Sequence, residues 1–268
     1  MEENKNMLSI YSVVVYCFTK NQPINLNKMN AIIHTAIVAP KGSERTSMSP
    51  MRKTSLLAGS LYLLTFVSIP TLALYNQVKG ANYVLGAGPD TTTIIGGILE
   101  IIVALAGIGT AVVLYPVLKK QQESAALALI AARILESGTI FVGVAFLLSI
   151  VTLRHGGSGA GALVTSHALA ALYDRIFLLG QSFMPAICDM LLGCMLYRSR
   201  LVPRTLSLIG IVGAVTLLVG YSAVLFGVIG QHSSLAMLSA VLVALFEFSL
   251  GVYLVIKGFK RLPISVSE

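Results

Sequence analysis

Tryptophan is absent from the 268 residues, cysteine occurs three times, and only 11% of the chain is charged. The shortage of charge is the most restrictive of these. A water-soluble domain carries about 25% charged residues, whereas here 56% of residues are apolar and the mean hydropathy is +0.84, which excludes a soluble globular protein. Cys17, Cys188 and Cys194 form no disulfide framework: the last two are six apart in one apolar run, so on a helix they point in different directions and suit neither a bridge nor a zinc pair. No nucleophilic triad, Walker sequence or paired metal motif is present, and the residues name no cofactor. His155, His167 and His232 show no tight ligand spacing. The net charge of +8 could suggest a nucleic-acid partner, but the basic residues lie in short segments between apolar runs rather than on a soluble face, so no such partner is expected.

What the chain has in abundance is long apolar runs, at residues 56–75, 94–115, 127–153, 168–197, 206–230 and 235–256. Each reaches the roughly 20 residues that a helix needs to cross a ~30 Å hydrocarbon layer. Basic residues sort around them. Lys41, Arg45, Arg52, Lys53, Lys119, Lys120, Arg198, Arg200, Arg204, Lys257, Lys260 and Arg261 fall on one side, and only Lys79 and Arg154 on the other. The positive-inside rule then puts both termini in the cytoplasm, as an even number of crossings requires. The expected fold is all-α, an integral membrane bundle of six transmembrane helices.

Three segments are expected. Residues 1–50 read as a poorly structured extension, because their apolar runs are too short to span and lack a helical period. Either Met48 or Met51 serves as the biological start, or the segment is a cytoplasmic extension. Residues 51–260 form the transmembrane domain, and 261–268 a short cytoplasmic tail.

Charges inside the runs are the main functional signal. Glu100, Arg133, Glu136, Asp174, Arg175, Asp189 and Glu247 all fall there, and intramembrane charges cost roughly 2.5–3.5 kcal/mol each unless they face a partner or a wet cavity. Thr93, Gly97, Glu100, Ala104, Gly107 and Ala111 recur at helical spacing. So do Ala236, Ala240, Ala244, Glu247 and Gly251. Both small-residue stripes should turn their carboxylates into the bundle. Asp174, Gln181, Pro185 and Asp189 make a polar seam, with the proline bending its helix. Arg133 and Glu136 are three apart and pair directly, which leaves Glu247 and Glu100 without a basic residue one turn away. Five carboxylates face two arginines, so the surplus must carry protons or be matched by a bound cation.

Weaker signals complete the reading. The glycine-rich segment 154–161 follows no strand and reads as a connector. Asp90, ahead of three threonines, is expected to cap the second span. Gly213, Gly220 and Gly227 repeat every seven residues as a close-packing seam in the fifth.

A resemblance rests on residues 52–64, on Leu85-Gly86-Ala87-Gly88 leading to Leu99-Glu100, and on Ala131-Ala132-Arg133-Ile134-Leu135-Glu136. It continues through Leu191-Leu192-Gly193, the run Tyr197-Arg198-Ser199-Arg200-Leu201-Val202-Pro203-Arg204, and Phe246-Glu247-Phe248-Ser249-Leu250-Gly251. In order and spacing these resemble the bacterial membrane family called domain of unknown function 4386, over about residues 51–259. The resemblance implies a bacterial plasma-membrane location and supplies no activity. Members tend to have His-Asp-Trp where this chain has Tyr173-Asp174-Arg175, and asparagine at the position of Asp189. Glu100, Arg133, Glu136, Asp174 and Glu247 sit in matching patches and are the candidates for binding a ligand or proton. Three functions remain open: binding or transport of a small solute or cation, a non-catalytic membrane scaffold, and a membrane enzyme on a lipid-like substrate. The first requires a polar cavity reaching Glu247. Oligomeric state is not readable.

Overall fold

The structure is a computed structural model that describes residues 48–80, 82–86, 89–156 and 159–260. The expectations for the first 47 residues and the last eight lie outside the described residues. The described residues are helical with short connections: α1 (Pro50–Thr65), α2 (Thr71–Leu74), α3 (Thr91–Leu118), α4 (Glu123–His155), α5 (Ala160–Phe177), α6 (Met184–Ser199), α7 (Arg204–Leu225) and α8 (Ser234–Ile256). Among the described residues, five helical stretches are long and apolar enough to cross a membrane: α3, α4, the continuous stretch Ala160–Ser199, α7 and α8.

The first apolar run does not form one long helix. Ser49 accepts a hydrogen bond from Arg52 N and Pro50 opens the first turn, a good start by both capping and φ restriction. The 16-residue helix then passes into a 3₁₀ turn at Phe66–Ser68 and reaches Pro70. Proline has no N–H to continue the ladder. At about 1.5 Å per residue α1 covers only ~24 Å, short of a bilayer core.

The fourth run starts earlier than expected, at Ala160, and contains a π-helical turn, Leu178–Phe183, just before Pro185. This turn brings Gly180 so close to α4 that a Cβ there would lie 1.9 Å from Thr139 Oγ1. The fifth run forms α7, which ends at Leu225, short of the expected 230. Of its glycine seam, Gly213 and Gly220 meet α8, but Gly227 is in the following turn at φ +72, with nothing near its Cβ position. Only the first two can act in packing.

The helices close into a ring, because α1 packs on α3 and α8, α3 on α4, α4 on α5 and α6, α6 on α7, and α7 on α8. One end of the ring is fastened by Arg52, whose guanidinium donates to the carbonyls of Leu254 (3.0 Å), Val255 (2.6 Å) and Ile256 (3.3 Å). That arginine satisfies the open C-terminal carbonyls of α8 and complements its dipole. Start of α1 and end of α8 therefore share one end of the bundle.

Asp90 holds the other end, though not as expected. It occupies the position before α3 without capping it. Its carboxylate instead accepts from Tyr83 Oη, from Arg154 Nη1 at 2.6 Å, and pairs with His155 Nε2 at 2.7 Å. Both oxygens are turned toward partners from a turn and the end of α4, and neither accepts from the local backbone. The Tyr83 hydroxyl, with His155 and Arg154, holds the Asp90 carboxyl below its ordinary value against the opposing effect of burial.

Candidate functional site

Arg133 is the centre of the buried charge. Arg133, Glu136, Ser137 and Ile140 share one buried face of α4, as their spacing of three, four and seven dictates. Room for the arginine comes from α3, where Gly107 would place even a Cβ 4.0 Å from Arg133 Cδ. Ser137 Oγ donates to Ala104 O at 2.8 Å and ties the two helices at this level. Arg133 Nη1 donates to Glu136 Oε2 at 3.0 Å, and Nη2 to Glu247 Oε1 on α8 at 2.7 Å. Asp189 Oδ1, on α6, lies 3.9 Å from Nη2, close enough to feel the charge and too far for a hydrogen bond. Cys188 Sγ approaches Glu136 Oε2 at 3.6 Å, and the Tyr62 ring centre lies 5.8 Å from Arg133 Cζ. Five helices, α1, α3, α4, α6 and α8, thus surround one cation with three carboxyl groups near it.

Above this cluster is a cavity of ≈ 310 Å³. Arg133, Glu136 and Glu247 form its polar floor, Val103, Ile140, Phe177, Leu217 and Val243 give apolar walls, and Ser182 and Gln181 of the π turn add polar groups. Two atoms on these lining residues, Arg133 Nε and Ser182 Oγ, are buried without a hydrogen-bond partner. Unpaired buried polar atoms of this kind call for a ligand, an ion or water.

The expected candidates separate. Arg133, Glu136 and Glu247 converge. Glu247 is not left without a basic partner, because its partner comes from a different helix, 114 residues away in sequence. Glu100 is buried on its small-residue stripe as expected, all of which is buried, but it lies outside the cavity lining. It accepts from Tyr173 Oη at 3.2 Å while its other oxygen is unpartnered. Gln181, which lines the cavity, also reaches toward Glu100. Asp174 belongs to the far end, where it pairs with Lys79, and so is not part of the floor.

Asp189, ranked behind the five because the resembled family favours asparagine there, is in the cluster. Both its oxygens are buried without hydrogen bonds. Its place on the seam with Gln181 and Pro185 was the signal that could have found it. The α8 stripe also needs correction: Ala236 and Gly251 are packed, yet Ala244 is exposed and Ala240 half-buried, so the middle of the stripe borders the cavity instead of a neighbouring helix.

Against known families, one model matches over residues 57–258, described as domain of unknown function DUF4386. The chain belongs to this family. No curated protein and no solved structure matches it. The DUF4386 match spans every residue of the Arg133 cluster, so the cluster belongs to the family domain and not to the segments flanking it.

Proposed function

We propose that this chain is a six-span protein of the bacterial plasma membrane, with both termini in the cytoplasm, that binds or carries a small solute or cation in the cavity above Arg133. The observation that carries the reading is the floor of that cavity. One guanidinium and two carboxyl groups line an open volume, with Asp189 behind them 3.9 Å from Arg133 Nη2 and with Arg133 Nε and Ser182 Oγ still unpaired. Ion pairs that served packing alone would need no adjoining space. Glu136 and Glu247 are the ligand-facing carboxylates, Glu100 is a second proton-binding group reached through Gln181, and Asp174 acts at the outer end.

The sixth crossing is supported by the course of the first segment, which begins beside the end of α8 at Arg52 and reaches the opposite end of α4 at Tyr83–Asp90. Reporter fusions after Lys120, Arg200 and Lys260 should all read cytoplasmic.

The scaffold reading draws support from the tie between Arg133 and two carboxylates, and a membrane enzyme from the convergence of polar groups at a cavity. One experiment separates the three. Full-length protein in lipid nanodiscs is screened by thermal stabilisation with amines, amino acids, sugars and nucleosides, beside an Ala244→Phe variant. Solute binding requires a compound that stabilises only the unfilled protein and is recovered unchanged. A compound recovered as a product indicates the enzyme, and no difference between the two proteins for any class indicates the scaffold.

A further inference from the structure

The wall of the cavity is incomplete on one side. α1 crosses α8 with backbones almost touching: a Cβ on Gly59 would lie 2.7 Å from Gly251 O. Its 3₁₀ extension places Phe66 edge-on to Phe248, ring centres 5.4 Å apart. There the chain leaves α8. Thr71–Leu74 packs on α3, and Tyr75 lies against Gly96. α8 continues from Phe248 toward its start at Ser234, and the cavity runs alongside it, lined by Glu247, Ala244, Val243 and Ala240.

Among the cavity-lining residues only Ile69 and Ala244 are exposed. They come from the two elements that part, so the mouth lies between the break after α1 and the middle of α8. The hydroxyls of Thr65 and Ser68, which line the same edge, donate to the carbonyls of Tyr62 and Thr65, so the rim is largely apolar. Ile69 at the mouth is 65% exposed, and beside Ala244 on α8 Val241 is 52%, Leu245 47% and Phe248 50% exposed. In a span such residues face acyl chains, and the mouth therefore opens sideways into the bilayer.

The floor decides the charge. Arg133 is already bonded to Glu136 and Glu247, with Asp189 3.9 Å away. An anion would compete with the three carboxyl groups already gathered around one guanidinium, whereas a cation is matched by any of them that gives up its proton. Arg133 uses Glu247 Oε1, and among the described residues the other oxygen of Glu247 has no hydrogen-bond donor. Ser182 Oγ is a free acceptor besides. A hydrated inorganic ion would have to shed its water at an apolar rim, at high cost. A charged nitrogen on an apolar body does not face that barrier, and ≈ 310 Å³ suits a compact one.

We infer that the cavity takes a hydrophobic amine in its ammonium form, entering from the bilayer between Ile69 and Ala244, with its nitrogen at Glu247 and its body between Ile140 and Leu217. This rests on the solute-binding reading and names its ligand class. The test uses 1-adamantylamine, 1-adamantanol and 1-adamantanecarboxylate, which share one body and differ in charge, with full-length protein in nanodiscs at pH 7. The amine should bind at least about tenfold more tightly than the alcohol, since its charge is desolvated beside a carboxylate, and the carboxylate more weakly still. Ala244→Phe should reduce amine affinity by a similar factor without lowering the melting temperature, and methylammonium, with no apolar body, should not bind. Equal binding of alcohol and amine, or tighter binding of the carboxylate, overturns the ligand class and leaves the cavity as a solute site. If none of the three binds while the wider screen yields another ligand, the inference falls alone. If that screen fails too, both fall.

Discussion

Arg133 Nη2 on α4 lies 2.7 Å from Glu247 Oε1 on α8, while its other terminal nitrogen binds Glu136 one turn along its own helix. α4 and α8 are not among the closely packed helix pairs of the ring, so the guanidinium joins them across the base of the cavity. Removing it strands three carboxyl groups in an apolar interior. Arg133→Ala should destabilise the protein by about 3–5 kcal/mol, the usual cost of leaving buried partners of an ion pair uncompensated. Arg133→Lys should recover only part of that, because a single ammonium cannot reproduce the planar fork. Unfolding titrations in mixed micelles measure both, and an alanine variant as stable as the parent would show that the clamp contributes nothing.

Glu136→Gln and Glu247→Gln follow from the same geometry. Pairing by spacing alone would make the first damaging and the second harmless. With both carboxylates on one guanidinium, each substitution should cost about 1.5–3 kcal/mol, the range for a hydrogen bond to a charged group. The double variant should deviate from the sum of the two, because they share a partner. Strict additivity in that cycle would mean the two carboxylates act independently.

The contrast between these residues marks what is legible in a sequence. The Arg133 and Glu136 pair is local, three residues apart, and so is the buried stripe around Glu100, because helical periodicity fixes both. The Glu247 partner depends on the order of helices around the ring, which periodicity does not contain. Asp90 is similar: a cap is a local expectation, but Arg154 and His155 arrive from more than sixty residues away and take the carboxylate. The run 56–75 carries no charge and is apolar overall, so hydropathy does not register that the chain leaves α8 after Phe66, and Pro70 is its one local sign; that departure creates the mouth of the cavity.

Gly180 tests the close approach of the π turn to α4. A methyl group there would overlap Thr139 Oγ1, 1.9 Å away, and Thr139 Cβ at 2.5 Å. Gly180→Ala should therefore destabilise by about 1–3 kcal/mol, as overpacking in a tight interior does. Gly138, on the next position of α4, has nothing within 4 Å of its Cβ position. Gly138→Ala should be neutral or slightly stabilising by thermal melting. If both variants melt alike, the π turn does not sit against Thr139.

The Asp90 cluster predicts a response to acid. The Tyr83 hydroxyl, followed by His155 and Arg154, depresses the Asp90 carboxyl below its ordinary 3.8. A depressed folded value means that ionised Asp90 stabilises the folded state at every pH above its ordinary range, and that this contribution disappears as pH falls through the lower folded value. Neutral pH therefore holds the turn at Tyr83–Leu85 against the end of α4, and the tether should weaken only below about pH 4. Hydrogen exchange of residues 82–86 in nanodiscs, corrected for intrinsic rates, should show several-fold greater protection at pH 6 than at pH 3 in the parent. Asp90→Asn keeps the side chain's size and removes its charge, so its turn should exchange rapidly at both pH values with no added acid response. Equal protection in the two proteins at pH 6 would show that the turn is held by its apolar contacts, with Val84 buried against α4, and not by Asp90.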